Sequence, residues 1–231
     1  MVRLGTIAAM ATPPPPPTTE ARRNARVILD RLKRRYPTIG TALDYTDPWQ
    51  LIVATVLSAQ TTDENVNQVT PVLFGRWPTP HDLAAADPEE VERIVYSTGF
   101  YRQKTRSIIG LAAVLVEEFD GVLPHDLDAL TRLPGVGRKT ASVVLAEAWR
   151  LPAIAVDTHV KRVTHRLGLT NRRDAAQIER DLRALYPERE WPGISMRVIQ
   201  FGREVCAARR PHCWECPLAD RCPYPHKTPK P

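Results

Sequence analysis

The chain has 231 residues, 43% of them hydrophobic and 25% charged, an ordinary soluble composition with enough length for one large core or two modest ones. Its net charge of +6 and pI near 9.3 point to a polyanionic partner, nucleic acid first. No run reaches the ~18 apolar residues of a membrane span, and the start is too weakly apolar for a signal-peptide core, so the expectation is a cytoplasmic protein, at the nucleoid if the source is bacterial.

Taken in chain order, residues 1–18 read as a disordered stub, because Pro13 to Pro17 form an unbroken proline run. From Thr19 onward the pattern is helix after helix. Ala25, Ile28, Leu29, Leu32 and Tyr36 share one helical face. Asp47-Pro48 opens the next helix, with aspartate as cap and proline in the first turn. The run 51–57 is rich enough in β-branched residues to pass for a strand, and the cap decides for helix. Asp63 is expected to cap a third helix. Further helices are expected over 89–96, 102–119, 127–133, 139–149, 158–167, 174–186 and 194–208, with glycine and proline at the joints. No hairpin of strands is visible, so the fold class is all-α.

The segment from Leu133 through Pro134, Gly135, Val136, Gly137, Arg138, Lys139 and Thr140 ends one helix and begins another. Glycine at 135 and 137 permits positive φ and a close approach of backbone to a ligand. The N–H groups at the start of the new helix lack intrahelical partners, and with the helix dipole they form a phosphate cradle. This helix-hairpin-helix grips a nucleic-acid backbone without reading its sequence; an ordinary αα turn is the plain alternative. Lys139 stands at the start of that helix. The helix N-terminus and the adjacent Arg138 both disfavour a second cation, which favours a neutral, nucleophilic amine.

A short extended stretch, 151–156, delivers Asp157 to the start of the following helix. Asp157 reads as an N-cap, and a capping carboxylate beside an amine also serves as base or electrostatic stabiliser. His159 reads as structural. All the cysteines of the chain fall at Cys206, Cys213, Cys216 and Cys222, spaced C-x6-C-x2-C-x5-C. One such group builds a single site, and the spacing leaves a [4Fe–4S] cluster and a zinc ion open, with two disulfides as the bland alternative. Arg209 and Arg210 lie in the loop between the first two cysteines and read as phosphate contacts on a rigid scaffold.

These residues carry a resemblance. The stretches 133–140, 156–159 and the four-cysteine spacing, with 57–63 (Leu-Ser-Ala-Gln-Thr-Thr-Asp) and 98–101 (Thr-Gly-Phe-Tyr), resemble the endonuclease III family of DNA base-excision glycosylases, in the family's order, from about Ala21 to Cys222. The resemblance implies a two-lobed fold: a six-helix barrel over 41–154, and a second lobe of 19–40 with 155–231 that holds a [4Fe–4S] cluster on the four cysteines. It implies a monomer acting on double-stranded DNA with damaged bases or abasic sites, removing oxidised pyrimidines and cutting the abasic strand by β-elimination. Lys139 is then the nucleophile and Asp157 its catalytic partner. Gln60 fills the gap left by the flipped nucleotide, and Phe100 wedges into the opposite strand, where familiar members carry an aliphatic residue. Two other readings stand beside this one. A monofunctional mismatch glycosylase of the same superfamily lacks the nucleophilic lysine, and a non-catalytic DNA-binding protein would use only the hairpin and a metal knuckle.

Overall fold

The computed structural model describes residues 16–231. The expectation of a disordered stub therefore falls almost wholly outside the described residues. Those residues contain helices and no strands: α1 (Thr19–Arg35), α2 (Pro48–Leu57), α3 (Asp63–Arg76), α4 (Pro80–Ala84), α5 (Pro88–Val95), α6 (Tyr101–Phe119), α7 (Leu127–Arg132), α8 (Arg138–Trp149), α9 (Thr158–Arg166), α10 (Ala175–Leu185) and α11 (Trp191–Glu204). Short 3-10 turns occupy Tyr96–Thr98, Glu188–Glu190 and Cys213–Glu215.

Local chemistry sets most of the starts. Asp47, Asp87, Asp126, Asp157 and Asp174 each accept a backbone N–H two or three residues ahead, which satisfies an otherwise unpaired donor. Helix α2 is buried on every side from Leu51 to Leu57, so its β-branched run is a central core helix and needs no polar face. The third helix departs from expectation at its cap. Thr62 accepts from Asn65 N, and Asp63 is the first helical residue, where its charge complements the dipole. The last long helix begins earlier and ends sooner than 194–208. Pro192 fits the first turn that Trp191 opens, and Cys206 N turns back to Phe201 O at 2.9 Å.

The buried apolar side chains fall into two clusters. One runs from Leu43 to Ala153 and takes in α2 to α8. The other combines Ala25, Ile28, Leu29, Leu32 and Tyr36 of α1 with residues from Ile154 to Leu218. The stretch between α8 and α9 passes from one to the other, Ala153 belonging to the first core and Ile154 to the second. Helices α8 and α11 pack together across this junction.

Candidate active site and cysteine loop

A cavity of about 90 Å³ opens where the two cores meet. Lys139, from the first turn of α8, and Asp157, the N-cap of α9, both line it, together with Asp63, Gln200 and Arg203. The Asp157 carboxylate accepts the Val160 N–H at 2.7 Å, which fixes it at the head of α9. Lys139 is exposed, and its helix begins at Gly137, with no side chain capping that end. The α8 N-terminus therefore keeps its unpaired N–H groups free for an anion. Arg203 of α11 reaches Asp63 of α3 at 3.6 Å, tying the rim of the cavity from both sides.

The hairpin before α8 uses its two glycines differently. Gly135 has φ +76, and a Cβ there would come within 2.6 Å of the Ser107 Cβ. Gly137 has an ordinary φ of −84 and open space where a Cβ would stand, so only Gly135 uses the positive φ that glycine permits. Arg138 also behaves differently. Its Nε and Nη2 donate to the two oxygens of buried Glu179 on α10, at 2.7 and 3.0 Å. Arg138 is thus paired with a carboxylate, and its expected repulsion of the Lys139 amine is offset.

Gln60 and Phe100 share an unusual backbone. Gln60 follows α2 with φ +58, and Phe100 precedes α6 with φ +48; both are exposed. At 62% exposure Phe100 is not a core aromatic. Neither residue lines the 90 Å³ cavity.

His159 is half-buried, its Nδ1 3.1 Å from Arg162 Nη2, and burial pulls its pKa below the usual imidazole value. Arg162 in turn donates to the carbonyls of Gly202 and Cys206, at 2.9 and 3.1 Å. This bracing was not visible in the sequence, since its partners are about 40 residues away.

All four cysteines are free, half-buried thiols, and Cys206, Cys216 and Cys222 pack against the second core. Burial first, with the other three thiols adding to it, pushes the Cys216 thiol up to about 11, and burial pushes Cys222 up as well. Four soft sulfur donors gathered on one short loop are a donor set that fits a thiophilic metal group. No trio of His, Cys, Asp or Glu among the described residues is grouped around a single-ion position. Arg166 of α9 organises the loop. It donates to Cys206 Sγ at 3.4 Å and to the carbonyls of Ala207 and Ala208 at 2.7 and 3.0 Å, and its own carbonyl accepts from Cys222 Sγ at 3.3 Å. Arg31 of α1 holds the far side through Pro217 O at 2.8 Å and Asp220. Arg209 and Arg210 stand exposed on this braced loop.

Comparison with known proteins follows the same geometry. Residues 53–188 match the family described as HhH-GPD superfamily base excision DNA repair protein. The chain is 52% identical to the endonuclease III of Synechocystis over 87% of its length and 93% of the relative's, and 38% identical to that of Escherichia coli over 87% and 95%. Among solved structures, a non-covalent endonuclease III–DNA complex superposes with a TM-score of 0.84 at 43% identity, covering 88% of this chain and 95% of that one. A trapped endonuclease III–DNA covalent intermediate superposes with the same TM-score and identity.

Proposed function

Since the chain belongs to the HhH-GPD superfamily of base excision repair proteins and, within it, to the endonuclease III family, we propose that Lys139 and Asp157 are the catalytic pair of its reaction. The protein is a bifunctional DNA glycosylase and abasic-site lyase. The observation that carries the assignment is the cavity at the junction of the cores, lined by both residues.

In this reading DNA lies across the junction and the damaged nucleotide is flipped out of the stack toward the cavity. The Lys139 Nζ attacks C1′ of its sugar, and the C1′–base bond breaks with its electron pair leaving on the base. Asp157, fixed by its cap bond, stabilises the charge that develops on the sugar and receives the proton shed by the amine. The nitrogen lone pair then expels O4′, which takes up a proton as the sugar ring opens, and the resulting C1′=N iminium is an electron sink, so the C2′ proton becomes acidic and its loss expels the 3′ phosphate by β-elimination. Water then releases the cut strand and restores the amine. Oxidised pyrimidines are the proposed bases.

Phe100 and Gln60 are proposed to enter the opened duplex, Phe100 as an apolar wedge that offsets unstacking and Gln60 in the vacated stack. Gly135 and Gly137 would present backbone N–H groups to a phosphate, and Arg209 and Arg210 would contact phosphates from the cysteine loop. Cys206, Cys213, Cys216 and Cys222 are proposed to hold a [4Fe–4S] cluster, which when bound supplies rigidity to that loop. We also read the two cores as two lobes, 41–154 and 19–40 with 155–231, in a monomer working in the cytoplasm. Among the described residues no helix is long and apolar enough to cross a membrane.

Borohydride trapping on two duplexes, one with an abasic site and one with an oxidised pyrimidine, tests the pair. A covalent adduct is expected with the native chain and none with Lys139→Gln. Normal nicking by Lys139→Gln overturns the assignment of Lys139, and base release without an adduct in the native chain would mark a monofunctional enzyme.

A further inference from the structure

Lys104 is a second lysine with an unusual environment. It lies in the first turn of α6, only 5% exposed, and burial pulls its pKa below the ordinary lysine value. It does not line the cavity that holds Lys139. Its Nζ donates instead to the carbonyl of Thr98 at 2.7 Å. Thr98 ends the 3-10 turn after α5, is itself buried, and is anchored by a bond from its hydroxyl to Val95 O at 2.7 Å. The backbone N–H of Lys104 meanwhile donates to Phe100 O at 3.0 Å. One residue therefore bonds both the carbonyl that precedes the two-residue turn of Gly99 and Phe100 and the carbonyl that ends it.

That turn is costly to hold. Gly99 and Phe100 have φ of +71 and +48 in succession, and the left-handed region disfavours a residue with a bulky side chain. Such a conformation persists only where its surroundings over-determine it. A buried ammonium placed on the terminal carbonyl of a helical turn does this, since a carbonyl end attracts a cation and a buried cation is tolerated only when bonded. The side chain the turn projects is the exposed Phe100.

We propose that Lys104 is the positioning residue of the strand-opening turn, a buried strut that holds Phe100 ready to enter the duplex before DNA arrives. The proposal rests on the reading of Phe100 as the wedge. Lys104 touches neither substrate nor reacting atoms. A preset turn spares the ordering cost that a mobile one meets on binding.

The test compares Lys104→Met, Lys104→Arg and Phe100→Ala on two substrates, an abasic site in duplex DNA and the same site in a single strand, where nothing has to be wedged apart. Lys104→Met keeps the buried volume and removes the donor. Its kcat on the duplex is expected to fall about tenfold, the scale on which misplaced contacts act. Its single-strand rate should stay within about twofold of native, and Lys104→Arg, which still offers Thr98 a donor, should recover most of the duplex rate. Phe100→Ala should show the same pattern, and adding Lys104→Met to it should cost little more. A folded Lys104→Met with native duplex activity overturns the strut. Equal losses on both substrates overturn it too, because they mark general damage. Native activity in Phe100→Ala sinks the wedge itself, a result that can be told apart from the other two. If Lys104→Met does not fold, Lys104→Gln, too short to reach, is measured in its place against the same outcomes.

Discussion

Glu179 receives two hydrogen bonds from Arg138, at 2.7 and 3.0 Å, across 41 residues of sequence. Arg183 adds a third contact at 2.6 Å from the next turn of α10. The carboxylate is 4% exposed, and the Arg138 side chain that it holds is 49% exposed. The pair ties the start of α8, where Lys139 stands, to a helix of the other core. Replacing Glu179 with alanine strands two guanidinium groups, one of them partly buried. Allowing for the solvent that reaches Arg138, the loss should be about 2 kcal/mol, read from urea unfolding. An unchanged midpoint would mean that the contact adds nothing to stability.

Asp157→Asn separates capping from chemistry. Asparagine caps helices about as well as aspartate, so stability should stay within about 0.5 kcal/mol. The amide neither takes up a proton nor carries charge, so base release should slow by about a hundredfold or more. Single-turnover kinetics on a damaged duplex, with thermal melting beside it, reads both. Full activity in the asparagine variant would reduce Asp157 to a cap.

The two hairpin glycines should diverge on substitution. Gly135→Ala meets Ser107 and forces an alanine to φ +76, and a loss of about 2 kcal/mol is expected. Gly137→Ala finds open space at an ordinary φ, so its effect on stability should stay within about 1 kcal/mol. Its methyl group would still stand between the α8 N-terminus and a phosphate. DNA affinity, followed by fluorescence anisotropy, should therefore fall in Gly137→Ala while the melting temperature holds. Unchanged affinity would remove the hairpin from the interface.

Arg166→Met should loosen the cysteine loop. It deletes the donor to Cys206 Sγ and both carbonyl contacts beyond it. Residues that brace metal ligands typically account for about 10–100-fold in metal retention. Iron content and visible absorbance of the proposed [4Fe–4S] cluster after challenge with a chelator measure this. Loss of iron at the native rate would contradict the bracing role.

Much of this arrangement was legible locally, because helix starts are written in short-range chemistry. Asp47, Asp157 and Asp174 could be found by residue type and by the apolar periodicity that follows them. Helix α4 was missed because it is five residues long, too short for periodicity to register. Its signal was present all the same in Thr79 and Asp82, which form a reciprocal capping box. The roles of Arg138, Lys104 and Arg166 were not legible. Each depends on a carbonyl or carboxylate brought near by tertiary packing, and a cation's partner leaves no periodic trace in sequence. Lys139, by contrast, announced itself through the glycine turn in front of it.

The division of the buried side chains bears on synthesis. The first core is one unbroken stretch and can consolidate while the ribosome is still adding residues. The second needs both α1 and the segment that ends near Leu218, so it must wait until about two hundred further residues have followed α1 off the ribosome. Because Asp157 caps α9, whose Val160 and Val163 belong to that later core, a nascent chain carries the Lys139 amine before the Asp157 carboxylate is fixed at the cavity.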